Sequence, residues 1–344
     1  MKAAIFRPPS RILTIEDVPR PEPGPGEVLV KVAACGVCHT DLHYLDHGVK
    51  TFKAPPLILG HEPSGHVAGV GAGVKKFKEG DRVLIPPVVT CGACFFCRSG
   101  RENICATMLM FGNNLDGAFA EYVAAPAKEC VALPEDLPLE ESCIISDAVS
   151  TPFHAVENRA KVRPGESVVV YGCGGVGMNA VQVAAALGAS VVAVDINDQK
   201  LEMARRLGAT ATLNARTVES PEKAVREITG GGADVAFEAL GNPATIRSAF
   251  QSLRRGGRFC LIGYCPEEVA FQVARLMYFE MTIVGSLGCR PVDYPPLLEL
   301  VRLGKIQVLP LVTGRFPLER INDALDLLRA GEGLRSIVLP SRTA

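Results

Sequence analysis

Almost no net charge and no long apolar run mark this sequence. Its 36 lysines and arginines meet 37 aspartates and glutamates, which leaves a formal charge of −1. A chain so nearly neutral lacks the electrostatic footprint a polyanion needs, and nucleic acid is excluded as a partner. The longest apolar stretch, around Val181 to Ile196, is broken by Gly188 and Asp195 and is not a membrane span. A secretory leader is not expected either, because Met1-Lys-Ala-Ala-Ile-Phe-Arg7 reaches a charge before an apolar segment develops. The expected setting is the cytoplasm.

Cysteine, by contrast, is plentiful. Twelve cysteines would suit a disulfide scaffold in a short secreted chain, but this chain has 344 residues. In a reducing compartment their spacing reads as metal binding. Cys130, Cys260, Cys265 and Cys289 stand singly and read as small buried hydrophobes. Apolar content of 48% and charged content of 21% are ordinary for a soluble globular protein, and the length favours two domains.

Chemistry concentrates between Cys35 and His66. Cys-Gly-Val-Cys-His-Thr-Asp-Leu-His at 35–43 is followed by Gly-His-Glu-Pro-Ser-Gly-His at 60–66. Thiol, imidazole and carboxylate together suit zinc, and a catalytic zinc site keeps one position open. The first candidates are Cys38 and His61, with Glu62 beside them; a purely structural metal site is the alternative. The flanking residues 1–34 and 65–84 alternate apolar and polar positions between Gly and Pro turns, as in a compact, partly barrel-like β domain.

Cys91, Cys94 and Cys97, with Cys105 after seven further residues, form the most specific single pattern. Four thiolates in so short a loop can close a tetrahedron around zinc with no room for substrate, so this is read as a structural lobe at about 90–106. An iron–sulfur cluster is the competing reading.

Near Val149 the texture changes to alternating strands and helices. Ser167–Tyr171 reads as a buried strand, Gly172-Cys-Gly174-Gly175-Val176-Gly177 follows at once, Met178–Leu187 reads as a helix, and Ser190–Asp195 as the next strand. A G-x-G-x-x-G between strand and helix, with an acid ending the second strand, is a dinucleotide-binding unit: glycines admit the pyrophosphate, and the acid bonds ribose hydroxyls. A carboxylate at Asp195 repels a 2′-phosphate, which favours NAD over NADP. Lys200 reaches the same ribose or is an exposed helix lysine. Strands at 233–238, 257–263 and 281–285 continue a doubly wound parallel sheet. Helices are expected around Tyr294–Leu303 and Ile321–Ala330, with a last strand at Ser336–Pro340. The expected domains are 1–148 with 287–344, and 149–286.

The order of these motifs resembles the zinc-dependent medium-chain alcohol dehydrogenases, over essentially the whole chain. Gly60-His-Glu-Pro-Ser-Gly65 is similar to the family's zinc signature, and Gly80-Asp-Arg-Val83 to its usual strand entry. The resemblance implies an α/β fold in which a Rossmann domain is inserted into a GroES-like, β-barrel-type catalytic domain. It implies two zinc ions per subunit, NAD, a small alcohol or carbonyl substrate, and a homodimer or homotetramer paired through the edge strand near Met281–Gly285. Cys38 and His61 would be catalytic zinc ligands, with Asp147 third in Ser146-Asp147-Ala-Val-Ser-Thr151 and Cys143 the runner-up. Glu62 would stand behind the metal and approach it transiently. His39 and Arg335 would contact the cofactor phosphates, and Thr151 the nicotinamide. Thr40 would touch the substrate oxygen and pass its proton through the nicotinamide ribose to His43, which opens to solvent; apart from the resemblance, a capped turn with a surface histidine is the simpler reading.

Polyol, L-threonine, cyclic-alcohol and acyl-thioester substrates share these motifs. Tryptophan, which many relatives place in the substrate pocket, is absent here. The segment Tyr44–Leu59 is expected to wall the pocket, with Lys50 and Lys53 either drawing an anionic substrate or simply solvated. A zinc-free quinone reductase would lack Cys38, His61 and the lobe, and a dead-site relative would have lost ligands or the Thr40/His43 pair.

Overall fold

The computed structural model describes residues 1–341. The chain divides into two compact units, one of Met1–Ala148 with Arg290–Tyr294 and the tail from Val308, the other of Val149–Cys289 with Pro295–Gln307. Among the described residues no helix is long and apolar enough to cross a membrane.

The first unit is organised on the strand Glu27–Gly36, whose apolar positions Val28, Val30 and Val32 enter a core shared with Val67, Val83, Phe119 and Val338. It pairs antiparallel with Glu62–Val70, Tyr122–Pro126 and the C-terminal strand Arg335–Leu339. A separate antiparallel sheet joins Thr14–Asp17, Lys2–Phe6 and Leu57–Ile58. Register does the positioning: Gly36 lies opposite Glu62, so Cys38 just beyond one strand and His61 just before the other emerge at the same end. Glycine is required there, because a Cβ on Gly36 would stand 2.1 Å from Glu62 Oε2.

The chain leaving Gly36 turns directly into the helix His39–Asp46. Asp41 caps it by accepting the Cys38 amide at 3.0 Å. An aspartate at the far end, Asp46, would oppose the helix dipole on its own. Two arginines compensate: Arg11 Nε reaches Asp46 Oδ1 at 2.8 Å and Arg329 Nε reaches Oδ2 at 2.7 Å, which ties this helix to Ile321–Arg329.

Among the described residues the second unit holds a six-stranded parallel sheet. In space its order is Ala211–Asn214, Ser190–Asp195, Ser167–Tyr171, Ala233–Glu238, Leu253–Leu261 and Thr282–Gly285. That is third, second, first, fourth, fifth, sixth, the doubly wound arrangement with its reversal beside the first strand. Buried Val169, Val192, Val194, Ala236 and Phe259 pack under the helices. The helix after the glycine turn runs Gly175–Ala186. It starts three residues before the expected Met178 because extended Gly174 already serves as its N-cap. The fifth strand begins at Leu253, earlier than the expected Gly257, and reaches its partner through a register shift.

The domain boundary also differs from expectation. Pro295–Gln307, expected with the first domain, packs in the second unit. Gln182 accounts for part of this by clasping the backbone of Gln307, donating to its carbonyl at 3.2 Å and accepting its amide at 2.8 Å.

Two outcomes are expected. Burial alone would raise the Asp46 carboxyl, but Arg329 and Arg11 hold it below the ordinary carboxylate value. A depressed folded-state pKa gives stability that is complete at neutral pH and is lost as pH falls through that pKa. Asp46→Asn should therefore cost about 1 kcal/mol in urea unfolding at pH 7 and progressively less under acid conditions. In the glycine turn, a Cβ on Gly177 would fall 1.7 Å from the Gly172 carbonyl oxygen, whereas a Cβ on Gly174 meets nothing within 4 Å. Gly177→Ala should cost about 2 kcal/mol or more, while Gly174→Ala should leave the melting temperature near wild type.

Candidate metal and nucleotide sites

Cys38 Sγ, a His61 ring nitrogen and carboxylate oxygens of Glu62 and Asp147 lie within 4.8 Å of one another. Asp147 follows the short 3-10 helix Glu141–Ser146 and reaches the group because the residues before it are pinned. Ser64 Oγ donates to Leu139 O at 2.6 Å, Ser146 Oγ to Pro63 O at 3.0 Å, and Tyr294 Oη to Ser146 O at 2.7 Å. Cys143, the alternative ligand, lies outside this group; burial first, then Glu62, pushes its thiol well above the ordinary value.

His61 is the most informative of the four. It is 1% exposed, and neither ring nitrogen has a hydrogen-bond partner among the described residues. Nε2 stands 3.6 Å from Asp147 Oδ2 and Nδ1 stands 3.7 Å from Asp41 Oδ1, both too long for a hydrogen bond. Leaving two polar atoms so costs several kcal/mol unless something else meets them. A zinc ion held by His61 with Cys38 and Asp147 would answer one of these, and this donor set of sulfur, nitrogen and oxygen fits that metal. Asp41 then faces the opposite nitrogen, where a carboxylate orients a ligating imidazole. Burial opposes charge on His61, but Asp147, then Cys38 and Asp41, outweigh it and hold the pKa well above the ordinary value.

Asp41 was not singled out by sequence. An acid three residues after Cys38, at the first turn of a helix, was the available signal. One of its oxygens caps the helix and the other faces His61. Glu62 forms a buried ion pair with Arg335 Nη2 through Oε1, while its Oε2 has no partner among the described residues. Burial opposes the Arg335 charge, but Glu62 and then Cys38 raise its pKa above the ordinary value. Thr40 Oγ1 lies 3.7 Å from Cys38 Sγ, His39 is exposed, and His43 is half-buried one turn further on. Lys53 pairs with Asp116, and Lys50 is exposed.

The four lobe cysteines also converge. Cys94 Sγ is 3.6 Å from Cys97 Sγ and 3.9 Å from Cys105 Sγ, and Cys91 Sγ is 3.9 Å from Cys97 Sγ. Bonds of about 2.3 Å at tetrahedral angles separate sulfurs by about 3.8 Å, so the cage has the size zinc requires. Amides of Ala93 and Cys94 bring the Cys91 thiol down to about 6, while burial, then Cys94 and Cys105, push Cys97 up to about 12.

In the second unit, positive φ at Gly172 (89°) turns the chain out of the first strand. Gly174, Gly175 and Val176 are half-buried at the helix start, and Gly177 is buried where the helix crosses Gly172. Asp195 Oδ2 accepts the Cys173 amide at 2.7 Å, and Oδ1 accepts those of Ile196 and Asn197 at 2.8 and 3.0 Å. This binds the second strand's end to the glycine turn and aims a fixed carboxylate; an ionised carboxylate has about four acceptor positions, so capacity remains for hydroxyl donors. Lys200 is half-buried on the helix capped by Asn197, and Thr151 is half-buried on the one-turn helix Ser150–Phe153.

Residues 24–135 match the alcohol dehydrogenase GroES-like domain and residues 175–302 match the zinc-binding dehydrogenase family. An alcohol dehydrogenase of Geobacillus stearothermophilus is 39% identical over 341 residues, spanning 98% of this chain and 99% of its own. A sorbitol dehydrogenase of Bacillus subtilis (strain 168) is 37% identical over 350 residues, spanning 99% and 98%. The crystal structure of the alcohol dehydrogenase from the hyperthermophilic archaeon Aeropyrum pernix superposes with a TM-score of 0.90 at 36% identity, covering 99% of this chain and 100% of that one. With its fold, its two ligand clusters and these relatives in agreement, the chain belongs to the zinc-dependent medium-chain alcohol dehydrogenase family.

Proposed function

We propose that this oxidoreductase catalyses the reversible, NAD-linked oxidation of a primary or secondary alcohol to an aldehyde or ketone, with one catalytic and one structural zinc ion per chain. The observation that carries the reading is buried His61, both ring nitrogens unpartnered among the described residues, grouped with Cys38, Glu62 and Asp147. Cys38, His61 and Asp147 would hold the catalytic zinc, and Cys91, Cys94, Cys97 and Cys105 the structural one. Zinc in the first site supplies Lewis-acid polarisation, drawing the hydroxyl pKa of an alcohol toward neutrality. NAD supplies the hydride acceptor.

The chain's own residues align and deprotonate. Asp41 Oδ1 faces His61 Nδ1, and Arg335 neutralises Glu62 through one oxygen while the other stays beside the ligands for a transient approach to the metal. Thr40 Oγ accepts the substrate hydroxyl's proton as it gives up its own toward His43, so the proton leaves as hydride transfer begins. Asp195, already anchored by three amides, receives ribose hydroxyls and repels a 2′-phosphate, which supports NAD over NADP. Gly174 leaves room for the pyrophosphate; Thr151, Lys200, His39 and Arg335 are the remaining cofactor contacts. Thr282–Gly285 is the edge of the parallel sheet and suits pairing between copies, as dimer or tetramer. Thiolate cages of this kind belong in a reducing compartment, and the cytoplasm is the proposed setting. The similarity to a sorbitol dehydrogenase is nearly as high as to alcohol dehydrogenases and puts polyols among the candidate substrates.

Elemental analysis of purified protein should find about two zinc ions per chain, one for each ligand cluster. Cys38→Ser and Cys97→Ser should each remove one, and Cys38→Ser should abolish NADH formation with every alcohol tested while NAD still binds. Turnover that survives zinc removal would refute the mechanism. Gly174→Ala should weaken NAD binding at least tenfold in calorimetry, its side chain occupying the space through which the pyrophosphate approaches the helix. Unchanged affinity would remove this turn from the cofactor site.

A further inference from the structure

The helix His39–Asp46 is followed at once by a second imidazole that the functional reading leaves unused. His43 and His47 stand one helical turn apart, with their Nδ1 atoms 3.0 Å from each other and ring centroids at 5.2 Å. Two ring nitrogens at that separation share one hydrogen, so one ring donates and the other accepts. His47 is exposed and His43 is half-buried. A neutral imidazole in water favours its Nε2–H form, which leaves His47 Nδ1 as the acceptor and places the shared hydrogen on His43 Nδ1. His43 Nε2 then carries no hydrogen of its own, the condition a base must meet to receive a proton.

We propose that His47 is a positioning residue for proton release: it holds His43 in the Nδ1–H tautomer and hands the departing proton to solvent. This rests on the proposed roles of Thr40 and His43. A proton arriving from the Thr40 side bonds to His43 Nε2. The Nδ1–H bond of His43 breaks as its hydrogen passes to His47 Nδ1, and the Nε2–H bond of His47 breaks as that proton joins water. Run in reverse, the same transfers deliver a proton during carbonyl reduction; between successive oxidations, loss of the His43 Nε2 proton to water, uptake of one at His47 Nε2 and return of the shared hydrogen to His43 Nδ1 restore both starting tautomers.

The surroundings suit such a pair. Burial lowers the His43 pKa and His47 adds to the effect, so the two rings carry one charge in preference to two. The charged groups of this helix and of the helix packed on it are committed elsewhere. Asp41 caps the helix and faces His61; Asp46 is held by Arg11 and Arg329, and Arg329 also binds Asp326. The amide of Val49 returns to the His43 carbonyl at 3.2 Å, closing the turn that carries His47.

Nitrogen-15 spectra of the imidazoles test the pairing without turnover. Wild type should show His43 protonated at Nδ1 and His47 at Nε2, and in His47→Ala the His43 tautomers should mix and its pKa rise. In alcohol oxidation near neutral pH, His47→Ala should lower kcat about tenfold with little change in KM, and added imidazole should restore part of the loss. The double variant His43→Asn with His47→Ala should be no slower than His43→Asn alone, since the two act in one chain. His43 found as the Nε2–H tautomer, a wild-type pH profile in His47→Ala, or multiplying losses in the double variant would overturn the proposal. Absence of NAD-linked turnover in wild type would overturn the functional reading instead, and the tautomer spectra would still decide the pairing.

Discussion

The antiparallel register that sets Gly36 opposite Glu62 is the constraint on which the metal cluster depends. Strand pairing fixes position to within a residue, and a slip of one would turn Glu62 to the other face of the sheet. It would also bring a side chain against the Glu62 carboxylate, which only a glycine at 36 permits. Cys38 and His61 lie two and one residues beyond the paired positions, so their meeting follows from the backbone before any attraction between them is considered. Bringing Asp147 to the same place takes separate hydrogen bonds, from Ser146 and Tyr294, because no strand delivers it. The candidate ligands are therefore of two kinds: two set by sheet register and one by local anchoring.

The same economy runs through Asp41 and Asp195. Each carboxylate closes a local backbone structure with one oxygen, Asp41 at the helix start and Asp195 at the glycine turn. Each thereby acquires a fixed orientation that a freely rotating side chain would lose entropy to adopt on binding. Rigidity of the helix that carries Thr40 in its first turn and His43 in its last comes from both its ends, with Asp41 at one and the Asp46–Arg11–Arg329 triad at the other.

Sequence made the metal and nucleotide chemistry legible because both depend on short-range spacing. Four cysteines within one loop, and glycines between a strand and a helix, are local patterns with few alternative meanings. What lay beyond reach was tertiary. The fit of Asp147 into the cluster, with Cys143 outside it, follows from hydrogen bonds spanning 83 and 148 residues. Asp41 escaped notice because an acid in a helix's first turn has an ordinary explanation as a cap, and its second oxygen faces a histidine twenty positions away in sequence. The tail divided between the units because Gln182 clasps Gln307, a pairing 125 residues apart with no motif to announce it.

Charge balance explains why a cluster so costly to bury persists. Asp41, Glu62 and Asp147, with Cys38 as the thiolate that metal binding requires, face Arg335 as the single fixed cation of the group. That leaves an excess of three negative charges in a region where Asp41 and Glu62 are fully buried, an arrangement a folded core tolerates only if the charges are met. A divalent cation reduces the excess to one; without it the group must hold protons instead, and His61 is the side chain whose surroundings drive it to do so. With zinc at the proposed site, a proton and the metal would therefore compete for the same imidazole. Folding of the first unit and metal binding would be linked through that competition, and acid conditions would weaken both together by protonating the groups the metal needs bare.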